Sequence, residues 1–203
     1  MSFELPLQII LLRILGLLLI GMVHALSLAA IVSMEGDRGP KFEGRLLPNP
    51  LVHAAPLGMV AAIFTMGGWI RPLDLDPGQL RHGRAGLVGA VLISLIVPIV
   101  VFVALLQLRG LVVGNLQPSY SNTINLALRT FAEMSVVFGA MNLIPLPPFA
   151  GGYLLQAASP QLFDAIKPRT AIIALVLVVL AIADRGTTVR MLLDPLIRAI
   201  TGT

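Results

Sequence analysis

The chain contains no cysteine, which excludes disulfide bonds and thiolate chemistry. Histidine is scarce as well, with only His24, His53 and His82. A catalytic metal site built on imidazoles therefore has few donors to draw on. Charged residues make up 12% of the 203 positions and aromatic residues 5%. No basic run interleaved with aromatics occurs, so a nucleic-acid partner is not expected. What remains is apolar: 57% of residues are hydrophobic and the mean hydropathy is +0.92. That is too apolar for an ordinary soluble domain. The net charge of +4 is accounted for by basic residues beside membrane spans. The length suits one membrane module, and no internal repeat is present.

Charge-free stretches divide the chain. Residues 14–34 carry no charge and can cross a hydrocarbon core of about 30 Å. The run is too long for the apolar core of a signal peptide. Residues 85–108 form the cleanest span, with Pro98 as a possible kink point. Residues 51–70 are also charge-free, but His53 and Pro56 interrupt the start and Gly67-Gly68 the end. The regular helix left between them, 57–66, covers about 15 Å, half a bilayer, so a short or re-entrant segment is expected. Residues 123–143 and 168–183 supply two more segments. Over 186–201, Val189, Leu192, Leu193, Leu196, Ile197 and Ile200 recur at helical spacing opposite Arg190, Asp194 and Arg198. That is the pattern of a helix lying in the interface. The expected fold is an all-α membrane protein, one polytopic domain over 1–203. It has about five transmembrane or re-entrant helices, a short polar hairpin at 35–50 and a C-terminal interfacial amphipathic helix.

Polar groups at membrane depth are the functional candidates, because each must face protein or water. His24 lies in the middle of the first span. It reads as a neutral imidazole bonded to a carbonyl or hydroxyl of a neighbouring helix, as a metal ligand, or as a group handling a proton or substrate. Arg129 and Glu133 stand at i and i+4 on one helix face. They read either as an internal ion pair or as a contact to another subunit. Pro145, Pro147 and Pro148 forbid a helix after Asn142. Unpaired backbone at that depth must be buried in protein or line a cavity.

Two strings carry a family resemblance. The first begins at Val23-His24-Ala25-Leu26-Ser27-Leu28 and continues through Gly36-Asp37, Gly44-Arg45 and Asn49-Pro50-Leu51-Val52-His53-Ala54-Ala55-Pro56-Leu57-Gly58. The second is Asn142-Leu143-Ile144-Pro145-Leu146-Pro147-Pro148-Phe149-Ala150-Gly151-Gly152. Together they resemble the site-2 protease family, the intramembrane zinc metalloproteases, in its compact bacterial branch. That family carries a His-Glu-x-x-His helix, an Asn-Pro-Leu-x-His-x-Asp-Pro-x-Gly hairpin and an Asn-Leu-x-Pro-x-Pro-Pro-x-Asp-Gly-Gly segment.

The frame of the family is present and its chemistry is mostly missing. In register with His24, Ala25 stands where the resemblance implies the catalytic Glu, Leu28 the second zinc-binding His, and Ala150 the third ligand, an Asp. Ala55 replaces the hairpin Asp. The resemblance therefore implies a degenerate active site with no catalytic residue, no cofactor and no bound zinc. It implies a pseudoprotease that serves as a binding or accessory subunit for other integral membrane proteins or a membrane-spanning segment. The place implied is the bacterial inner membrane. The partner-binding positions are Asn49, His53, Asn142, Pro145, Pro147 and Pro148, with Arg129 and Glu133 added for their depth. Two other readings stand beside this one: a working metalloprotease with a rebuilt site, and a small transporter or channel component.

Overall fold

The computed structural model describes residues 5–113 and 117–202. Helix α1, Leu7–Glu35, follows Pro6 and ends at Gly36, whose φ of 122° breaks the helix. It starts earlier than the charge pattern suggests and takes in Arg13, whose Nη1 donates to the carbonyl of Ile63. A backbone acceptor thus meets one of its donors. The buried face of α1 runs through Leu17, Ile20, His24, Ala25, Leu28 and Val32, a helical repeat. His24 and Leu28 thus share one inward face.

Helix α2, Gly39–Phe42, and helix α3, Pro50–His53, form the polar hairpin. Helix α4, Pro56–Thr65, is ten residues, and the chain then returns extended beside its own start. Ala54 bridges Ile70, and the Arg71 amide donates to His53 O at 2.9 Å. A Cβ on Gly58 would fall on the Trp69 carbonyl and one on Gly68 on the Gly58 carbonyl. Only glycine permits this backbone-to-backbone approach. The returning chain ends where it left, because the Arg81 amide donates to Glu35 O at 2.7 Å. Both polar connectors therefore meet at the same end of α1.

Helix α5, Gly83–Gln107, packs on α1 and on α7, Pro118–Met141, with the short α6, Arg109–Val113, between them in sequence. Helices α8, Gly151–Ala158, and α9, Pro160–Ile166, lead into α10, Thr170–Asp184. Helix α11, Thr187–Thr201, lies against α7. Among the described residues, four helical stretches are long and apolar enough to cross a membrane: Leu7–Glu35, Gly83–Gln107, Tyr120–Met141 and Pro160–Asp184. Pro56–Thr65 is a shorter apolar helix. The fold is an all-α membrane protein. Many large apolar side chains on α5 and α10, such as Ile96, Val100, Ile172 and Leu180, point outward. In a bilayer that outward face meets lipid at no cost.

Candidate functional site

The site is built around His24, which is fully buried on α1. Its Nδ1–H donates to the carbonyl of Ser94 at 3.0 Å, since a carbonyl can only accept. That carbonyl is open for a physical reason. In a helix the Ser94 carbonyl would receive the N–H of residue 98, and residue 98 is proline. Pro98 therefore removes the bond that His24 replaces. The other face of the ring packs edge-on against Phe138 of α7 at a centroid distance of 5.3 Å. His24 Nε2 is left with its lone pair and no partner.

His53 has a similar bonding pattern. It is buried, its Nε2–H donates to Leu47 O at 3.2 Å, and its Nδ1 has no partner. Zinc ligands do hold their second ring nitrogen this way. The remaining donors do not fit a zinc ion. Ala25 and Leu28 are fully buried beside His24 and offer no ligand atom. Ala150 is buried as well. Among the described residues no three His, Asp or Glu side chains group around a common point that could hold a metal.

The hairpin is fastened to the returning chain by buried charge. Arg45 donates from Nη1 to Val52 O at 3.1 Å and from Nη2 to Pro72 O at 3.0 Å. Asp37 accepts from the amides of Gly39 at 2.8 Å and Asp76 at 3.2 Å. Asn49 accepts from the Leu51 amide at 3.0 Å and caps α3, while its side chain stays exposed. Tyr153 ties α8 to the same chain, accepting from Leu73 N at 2.7 Å and donating to Leu73 O at 2.8 Å. Burial raises the Tyr153 hydroxyl above its ordinary pKa, so it remains neutral and can do both.

The proline strip is ordered from inside by Asn142. Its Nδ2 donates to Gly68 O at 2.8 Å and to Phe138 O at 2.9 Å, and its Oδ1 accepts from Ala150 N at 3.1 Å. The side chain is fully buried, with both amide hydrogens used. Gly151 seals the loop, since a Cβ there would fall on the Ile144 carbonyl. Pro147 and Pro148 are buried and joined by a cis peptide, whereas Pro145 is exposed. Beside the strip lies an apolar cavity of about 450 Å³, lined by Trp69, Met141, Ile144, Leu146, Phe149 and Leu177, among others.

Arg129 and Glu133 lie elsewhere, on α7 facing α11. Arg129 Nε donates to Glu133 Oε1 at 2.9 Å. On α11 the apolar Val189, Leu193, Ile197 and Ile200 pack on the core, whereas Leu192 and Leu196 stay exposed. Arg190, Asp194 and Arg198 border a cavity together with Arg129 and Glu133.

Among known proteins, one from Bacillus subtilis (strain 168) named "Putative zinc metalloprotease YwhC" is 26% identical over 144 residues. The match covers 68% of this chain and 64% of that relative, so the chain spans less than two thirds of the relative's length. No family model and no solved structure matches. The likeness supports a distant site-2-protease-like relationship. With the four apolar helices, it describes a membrane protein related to metalloproteases.

Proposed function

We propose that this chain is a catalytically inactive relative of the site-2 proteases that holds another membrane segment, as an accessory subunit of a membrane complex. One observation carries this reading. In register with the site-2 protease motif, Ala25, Leu28 and Ala150 stand where base and ligands would be, while the strip that leads to Ala150 borders an apolar cavity of about 450 Å³. An extended or helical segment can be held by backbone bonds and side-chain pockets without any catalytic group. The exposed part of the strip, Leu143, Ile144 and Pro145, supplies the contact surface. Asn142, Pro147, Pro148 and His53 act behind it by fixing its shape. In this reading the protein sits in a bacterial inner membrane and needs no metal.

The test is recovery of partners from native membranes in mild detergent. The double variant Ile144→Ser, Pro145→Ala changes only exposed positions and should insert normally. Recovery of co-purifying membrane proteins should fall several-fold. Unchanged recovery, or cleavage of a membrane peptide by the wild-type chain, refutes the reading.

The unpartnered nitrogens of His24 and His53 favour a second reading, a metalloprotease with a rebuilt site. It requires stoichiometric zinc that is lost on His24→Ala.

A further inference from the structure

At the end of the molecule opposite the hairpin, polar residues surround open space. A cavity of about 460 Å³ between α7 and α11 is lined by Arg129, Glu133, Arg190, Asp194 and Arg198. A smaller one of about 90 Å³ adjoins it, sharing Thr65, Met66 and Arg190 and adding Arg13 and Arg185. Both acids in the larger cavity are already engaged: Glu133 with Arg129 at 2.9 Å and Asp194 with Arg198 at 2.6 Å. Arg13 and Arg190 are in no ion pair among the described residues. Arg13 is 9% exposed, and its Nε is buried without a partner. A buried guanidinium donor without an acceptor is costly, so the geometry calls for an anion.

The depth of this end indicates which anion. Arg13 and Glu35 are separated by about 33 Å along α1 at about 1.5 Å per residue, close to a hydrocarbon thickness of about 30 Å. With the Glu35 connectors at one headgroup level, Arg13 and its neighbours sit at the other. On its outer side α11 presents Met191, 75% exposed, and Leu192, 72% exposed, where acyl chains run. We infer that the chain carries a site for a phosphate-bearing lipid headgroup between α1, the tip of α4, α7 and α11. Arg190 and Arg13 would face the phosphate oxygens, which guanidinium groups match in fork geometry.

The experiment uses the full chain, delipidated in mild detergent and titrated with phosphatidylglycerol, phosphatidylcholine or inorganic phosphate. Thermal melting and native mass spectrometry give the readout. Phosphatidylglycerol should bind at about one per chain and raise the melting temperature. Arg190→Gln, at an exposed position, should weaken that binding about tenfold, the loss of one charge-assisted bond. Arg190→Lys should recover part of it. Arg84→Gln, at the far end, should leave it unchanged. Arg13→Gln should weaken it as well, and if that variant does not fold, Arg190→Gln carries the test. Equal binding by wild type and Arg190→Gln, or no binding, overturns the site. Stabilisation by inorganic phosphate alone, Arg190-dependent and not displaced by lipid, overturns the lipid assignment.

Discussion

The two ends of the molecule use polar residues in opposite ways. At the hairpin end, Arg45, Asp37, Asn142 and Tyr153 are buried, and apart from the Arg45–Glu43 contact their hydrogen bonds go to the protein's own backbone. At the other end, Arg13 and Arg190 border open cavities and are in no ion pair among the described residues. The first arrangement ties irregular chain together through buried groups, which need partners inside the protein. The second leaves donors for something outside the chain. The motif residues at the hairpin end therefore have folding roles of their own. Their presence is evidence of architecture and says nothing of turnover.

The sharpest way to break this comparison is Asn142→Leu. It removes three hydrogen bonds and leaves Gly68 O and Ala150 N buried without partners. The cost should be about 3 kcal/mol or more, since each buried orphan costs about 1–3 kcal/mol. Thermal melting in detergent reads this directly. A loss below about 1 kcal/mol would mean that the strip is not fixed by Asn142.

Much of this architecture was legible in the sequence, and the reason is chemical. Charge-free runs mark helices in lipid, and Pro145, Pro147 and Pro148 mark the break after α7. The shortness of 57–66 pointed to a segment that does not cross cleanly, and α4 with its extended return has that form. The extension of α1 back past Arg13 was not legible, because the carbonyl that accepts from Arg13, Ile63 O, lies 50 residues away in sequence. The partners of the polar row on α11 were also hidden, because the residues that share its cavity belong to α7. The acceptor of His24 could have been found. A proline inside a helix frees the carbonyl four residues before it, and Pro98 points to Ser94.

That bond gives a middle-sized effect. His24→Leu should cost about 1–3 kcal/mol, because the Ser94 carbonyl is then buried and unpaired. In a Pro98→Ala background the helix supplies an N–H to that carbonyl, and the same His24→Leu change should cost less. A double-mutant cycle should show a coupling of about 1 kcal/mol between His24 and Pro98. Additive losses would mean that the imidazole is held by its packing on Phe138 and not by the carbonyl.

The smallest effect expected is that of metal removal, and it decides between the two functional readings. A zinc ion that bound only the folded chain, at a free concentration of about 100 times its dissociation constant, would stabilise it by about 2.7 kcal/mol. A catalytic site needs about three protein ligands, and here His24 stands with Ala25 and Leu28 on one buried face. Chelator should therefore leave the melting temperature of the purified chain unchanged, and elemental analysis should find far less than one zinc per chain. His53 is the nearest substitute donor in kind, since its Nδ1 lone pair is also unpartnered. If the two imidazoles were recruited together, chelator would lower the melting temperature in the wild type and in neither His24→Ala nor His53→Ala. That outcome would replace the holding reading with the rebuilt-site reading.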